Sequence, residues 1–87
     1  MTFGDTLRTQ RKMTGKSRYR LAQFSGINES YILRLERGER SNPSRDVVIR
    51  LGLALLAGSD ALILENIEEL LLAAGYAPLQ RGDRVRS

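Results

Sequence analysis

The chain has no cysteine and no histidine, and these two gaps remove most of the usual chemistry. Without cysteine there is neither a disulfide nor a thiolate to hold a metal. Without histidine the commonest general base and the commonest zinc ligand are both missing. Catalysis would have to rely on carboxylates, lysines and hydroxyls alone. Long hydrophobic runs are also lacking: no stretch reaches the roughly 18 apolar residues that a membrane-crossing helix needs. The N-terminus lacks the charged start, apolar stretch and small-residue cleavage site of a secretory signal. Period-two alternation and β-branched runs are absent, so no strand is expected. Neither an internal repeat nor a low-complexity segment is visible.

What remains suits one small helical domain. Hydrophobic residues make up 41% and charged residues 28% of the 87 positions, enough for a core and a solvated surface. The formal charge of +4 is unevenly spread. Residues 1–50 carry eleven Lys/Arg against five Asp/Glu, a net +6, while residues 51–87 carry three against five, a net −2. A basic half joined to a mildly acidic half fits a molecule that turns one face to a polyanion. Ordinary solubilising charge is the plainer explanation, and charge alone does not choose between them.

Five helical segments follow from the apolar spacing and its punctuation. The first spans residues 3–13 with Phe3, Leu7 and Met13 inward, closed by Thr14-Gly15. The second runs from the N-cap Ser17 to Phe24, with Leu21, Ala22 and Phe24 inward. Ser25-Gly26-Ile27 leaves room only for a sharp turn. The third opens at Asn28, turns Ile32 and Leu35 inward and ends at Gly38. After a polar stretch containing Asn42-Pro43, a fourth opens at Pro43 or Ser44 and runs to about residue 57. Val47, Val48, Leu51, Leu55 and Leu56 form its apolar side, and Gly58 stops it. The fifth is capped by Ser59 and runs to about residue 74, with Gly75 past its end. The domain is expected to cover residues 1–79, followed by a frayed basic tail over 80–87.

Two short helices joined by a glycine-containing turn form a helix-turn-helix. Leu21 and Ala22 must pack on Ile32 and Leu35, Ala22 must be small where the helices cross, and Gly26 must adopt a conformation that a Cβ resists.

The segment from Leu21 through Ala22, Gly26, Ile32 and Leu35 to Gly38 resembles the Cro/C1-type helix-turn-helix family, also called the xenobiotic-response-element family. Leu7 and Arg11 match its first helix, Asn42-Pro43-Ser44 matches the opening of its fourth, and Ala73-Ala74-Gly75-Tyr76 resembles the ending of its fifth. The resemblance covers residues 3–76. It implies an all-α, five-helix, lambda-repressor-like domain that binds double-stranded DNA and regulates transcription by occlusion, as a repressor. The third helix, residues 28–37, would lie in the major groove. Glu29, Ser30 and Arg34 match base-contacting positions, with Arg34 suited to guanine O6 and N7, Glu29 to a cytosine amino group and Leu33 to a thymine methyl. Lys16, Ser17, Arg18, Arg37, Arg40, Ser41 and Asn42 are candidates for phosphates. Tyr31 stands open between a phosphate contact and packing on the turn. Arg11 and Glu36 match a pair that bridges the first and third helices. The chain departs from the family at Arg18-Tyr19-Arg20, where glutamine followed by acidic residues is common, so a base contact at position 18 does not carry over.

Two rival readings stand beside this one. Glu65, Glu68 and Glu69 offer closely spaced carboxylates, but no nucleophile motif or phosphate loop accompanies them, and a solvated helix face accounts for them. No enzyme activity, metal or cofactor is expected. The fifth helix, with Leu62, Ile63, Leu64, Ile67, Leu70, Leu71 and Leu72, is apolar over more than one stripe. That width suggests a surface for a partner: a second copy, giving a homodimer on a palindromic site, or a toxin if the chain is an antitoxin of this fold. A bacterial cytoplasmic protein, carried on the nucleoid when bound to DNA, is the location implied.

Overall fold

The computed structural model describes residues 2–57 and 64–77. Among them are five helices and no strand: α1 (Phe3–Thr14), α2 (Arg18–Ser25), α3 (Glu29–Arg37), α4 (Arg45–Leu56) and α5 (Leu64–Ala73). The expected Gly58 stop, the Ser59 cap, the apolar Leu62 and Ile63, the boundary at residue 79 and the tail over 80–87 all lie outside the described residues.

Local chemistry sets the helix ends. Thr2 and Asp5 form a capping box on α1: the Asp5 amide donates to Thr2 Oγ1 at 3.1 Å and the Thr2 amide donates to Asp5 Oδ2 at 3.3 Å. Two of the orphan amides of the first turn are thereby satisfied. The hydrogen bonds from Thr2, its side chain first, hold the Asp5 carboxyl below the usual aspartate range. Ser17, Asn28 and Ser44 cap α2, α3 and α4 through their side-chain oxygens, each satisfying an amide that would otherwise lack a partner. Gly26, the turn glycine, ends α2 with φ +74° and returns its amide to Ala22 O at 2.9 Å. This is the left-handed conformation that a Cβ disfavours, and it lets two helices meet within a three-residue connection. α4 reaches its C-cap at Ala57, whose extended backbone donates to Ala54 O at 3.2 Å.

The core lies where the helices converge. Leu7, Leu21, Ile32, Leu35, Val48, Leu51, Leu55, Leu70 and Leu71 are fully buried, with Phe3 and Ile67 nearly so. α1 packs on α3 and α5, α2 on α3 and α4, and α4 on α5. Fully burying each such side chain is worth about 1.5–3 kcal/mol relative to leaving it exposed. Two glycines serve as contact surfaces. A Cβ on Gly4 would come within 2.9 Å of Glu36 O, and one on Gly52 within 2.8 Å of Ile67 Cγ1. α1 therefore rests by its backbone on the last turn of α3, and α4 on α5.

Two inward assignments are corrected. Met13 is 66% exposed and Phe24 50% exposed. Both fall in the last turn of their helices. The inner side of α1 is completed instead by Thr6, Gln10 and Arg11, all buried. Gln10 Nε2 donates to Asn66 O and Glu69 Oε1 of α5. Phe24 lies beside Lys16 and Arg20, whose cations stand 5.8 and 5.7 Å from its ring centre. Of the described part of the α5 apolar band, Ile67, Leu70 and Leu71 are buried in the chain's own core and Leu72 is exposed; the Leu64 side chain, like Leu62 and Ile63, lies outside what the structure describes.

Candidate nucleic-acid interface

α3 has two distinct sides. Ile32, Leu35 and Glu36 face the interior, while Glu29, Ser30, Arg34 and Arg37 are exposed and Leu33 is half-buried. Asn28 Oδ1 accepts the Ser30 amide at 2.8 Å, so the N-terminal turn that presents Glu29 and Ser30 is fixed by its own cap. Arg34 is exposed and has no ion-pair partner among the described residues. Arg37 stands 3.6 Å from Glu39, with both side chains more than half exposed, a loose contact of little energetic weight.

The inner end of α3 is anchored by one carboxylate and two guanidinium groups. Arg11 Nε donates to Glu36 Oε2 at 2.6 Å and Arg11 Nη2 to Glu36 Oε1 at 3.1 Å. Arg18 Nη1 donates to the same Oε1 at 3.0 Å. Arg11 Nη1 also reaches Lys16 O at 2.9 Å. The Glu36 side chain is 2% exposed and that of Arg11 10%, against 37% for Arg18. One anion thus ties α1, α2 and α3 together, and two cations against one carboxylate leave an excess positive charge whose wet end is Arg18. Bidentate geometry is what makes such a pair worth burying.

The other cationic candidates are placed differently. Lys16 directs its ammonium at the end of α4, donating to Ala57 O at 2.7 Å and Leu55 O at 3.3 Å, where it meets the negative end of the helix dipole. Its charge is committed inside the protein, and Ser17 beside it is spent as the α2 cap. Arg40, in the loop after α3, stacks over the Tyr31 ring at 5.8 Å. Tyr31 is half-buried and packs against the core. Together Tyr31, Glu39, Arg40, Ser41 and Asn42 line an open hollow of about 330 Å³, so four of the phosphate candidates converge on one place.

Tyr19, Arg20 and Gln23 are not among the contact candidates that the sequence offers. Tyr19 is 58% exposed and its Oη accepts from Gln23 Nε2 at 3.1 Å. Both line a groove with Ala22, Gly26, Ile27, Asn28 and Glu29, alongside the start of α3. Arg20 has no ion-pair partner among the described residues. The helical angle of positions 19 and 23, opposite Leu21 and Ser25, was the signal that could have found them. Of the acidic cluster on α5, Glu69 is occupied by Gln10, and among the described residues no group of three potential ligands is placed to hold a metal.

Two short helices meeting across a left-handed glycine, the second with one buried and one solvent-facing side, define a helix-turn-helix. A family model described as a helix-turn-helix domain matches residues 2–65, and the chain belongs to that family, which is of the Cro/C1 type. Its fold and family are those of DNA-binding regulators. No curated protein and no solved structure matches the chain. Among the described residues no helix is long and apolar enough to cross a membrane.

Proposed function

We propose that the chain is a sequence-specific, double-stranded DNA-binding regulator that represses transcription by occupying its site in the cytoplasm of a bacterial cell. The observation that carries this reading is the solvent-facing side of α3, where Glu29, Ser30 and Arg34 are exposed on a helix held from behind by Ile32, Leu35 and Glu36. In this reading α3 enters the major groove with Arg34, Glu29, Ser30 and Leu33 against base edges. Arg18, Arg37, Arg40, Ser41, Asn42 and the Tyr31 hydroxyl meet phosphates on either side, helped by the amides at the start of α2. Lys16 contributes to the field there without a direct contact, since its ammonium is engaged with α4.

The test is a fluorescence titration of random-sequence duplex against salt. Phosphate contacts release counterions, so log affinity should fall linearly with log salt, with a slope of about −0.9 per contact. Binding that ignores salt, or no binding at all, would sink the proposal.

A homodimer through α5 is the second reading, supported by the exposed Leu72 on that helix. It would set two reading helices about 34 Å apart on a palindromic site. The same surface would serve a protein partner if the chain were an antitoxin.

A further inference from the structure

Tyr76 lies past the end of α5 and beyond the matched segment 2–65, yet it reaches the loop between α3 and α4. Its Oη donates to Pro43 O at 2.8 Å, and the Pro43 side chain is fully buried. The three residues just before Pro43 are Arg40, Ser41 and Asn42. α3 secures the start of this loop, with the Glu39 and Arg40 amides both donating to Arg34 O, at 2.9 and 3.3 Å. Ser44 secures its end by capping α4. Among the described residues no other hydrogen bond reaches residues 41–43 from the rest of the protein.

Tyr76 is itself firmly placed. The buried Ile67, Leu70 and Leu71 dock α5 on the core. Gly75 then turns the chain at φ +87°, and the Tyr76 amide returns to Leu71 O at 2.8 Å. A continuous path of contacts therefore runs from the core through α5 and the Gly75 turn to the phenol, and from the phenol to the middle of the loop.

We propose that Tyr76 is a positioning residue for DNA binding: it braces the α3–α4 loop from behind so that Arg40, Ser41 and Asn42 meet the phosphate backbone in a set geometry. The inference rests on the reading of that loop as a phosphate-contacting segment. A loop ordered before binding does not lose that freedom on the DNA, and phosphate contacts fix register without reading sequence. Loss of the brace should therefore weaken all DNA alike.

The experiment is Tyr76→Phe in the full chain, which keeps the ring and removes only the hydroxyl. Binding to a random-sequence duplex is titrated at a temperature where circular dichroism shows wild type and variant fully folded. One net hydrogen bond corresponds to an affinity loss of roughly two- to tenfold, expected equally on random and on selected duplex. In a background of Arg40→Ala, Ser41→Ala and Asn42→Ala the same substitution should have no further effect, because nothing remains for the brace to position. Unchanged affinity in Tyr76→Phe, or an equal loss in both backgrounds, would overturn the inference. Wild type that binds no duplex would overturn the DNA-binding reading instead, so the two failures are told apart.

Discussion

Arg34 and Arg11 are the same residue type in opposite surroundings, one exposed and one buried. Arg11 is buried against Glu36 with two donors on one carboxylate, and its removal would leave that carboxylate to Arg18 alone. Arg34 is exposed on α3 with no ion-pair partner among the described residues, so its charge contributes to the fold only through the end of the helix dipole, a small and solvent-screened effect. Arg34→Ala should therefore leave the melting temperature within the scatter of surface substitutions. If Arg34 reads a base as proposed, the cost should fall on recognition, at about 1–3 kcal/mol of discrimination for one base pair. Paired titrations on a selected site and on random duplex check this. An equal loss on both would reassign Arg34 to phosphate.

At the scale of elements, α1 depends on its capping box, and that dependence carries a pH signature. The folded state holds the Asp5 carboxyl below the usual aspartate range through the hydrogen bonds from Thr2. A depressed folded value means that the carboxylate stabilises α1 above the pH at which the unfolded chain titrates, and that this contribution fades as pH falls through the folded value. Asp5→Asn should accordingly lower the melting temperature at neutral pH, and the gap to wild type should close in acid. Thermal melts of both proteins across pH 2–7 test it; a gap constant with pH would mean that charge has no part in the cap.

Helix ends were legible because their signals are local: Ser17, Asn28 and Gly26 each act within four residues of where they stand. Burial in the last turns was not. Helical spacing placed Met13 and Phe24 near the inner side, but what they face there depends on where the neighbouring helix stops. Gly4 and Gly52 read in sequence only as weak helix formers, and their purpose appears only when Glu36 O and Ile67 come up against them. The site divides in the same way. The outward side of α3 follows from Ile32 and Leu35 alone. The second guanidinium on Glu36, the ammonium of Lys16 on α4 and the phenol of Tyr76 on Pro43 join residues far apart in sequence, and only the fold brings them together.

For the whole molecule, the unequal charge now has a physical layout. The cations of the N-terminal half that lack ion-pair partners among the described residues include Arg20 on α2, Arg34 on α3 and Arg40 in the following loop, while the acidic residues of α5 occupy another helix. If the chain pairs through α5, Leu72→Glu should place charge in that contact and shift sedimentation from dimer to monomer, leaving the helical content unchanged. Each half-site would then be bound independently, so cooperativity on a palindrome should vanish. A wild-type chain that sediments as a monomer at all concentrations would remove the pairing.

The lysine peg at the end of α4 has a practical consequence. The chain contains two lysines, Lys12 and Lys16. Lys12 is exposed on α1, whereas Lys16 is partly buried with its nitrogen against two carbonyls. An amine-reactive dye therefore meets one accessible side chain and one that must first leave its seat. The remaining cationic side chains are arginines, which such reagents pass over, so apart from the α-amino group, which labels at lower pH, Lys12 offers the accessible point of attachment, on a helix other than α3.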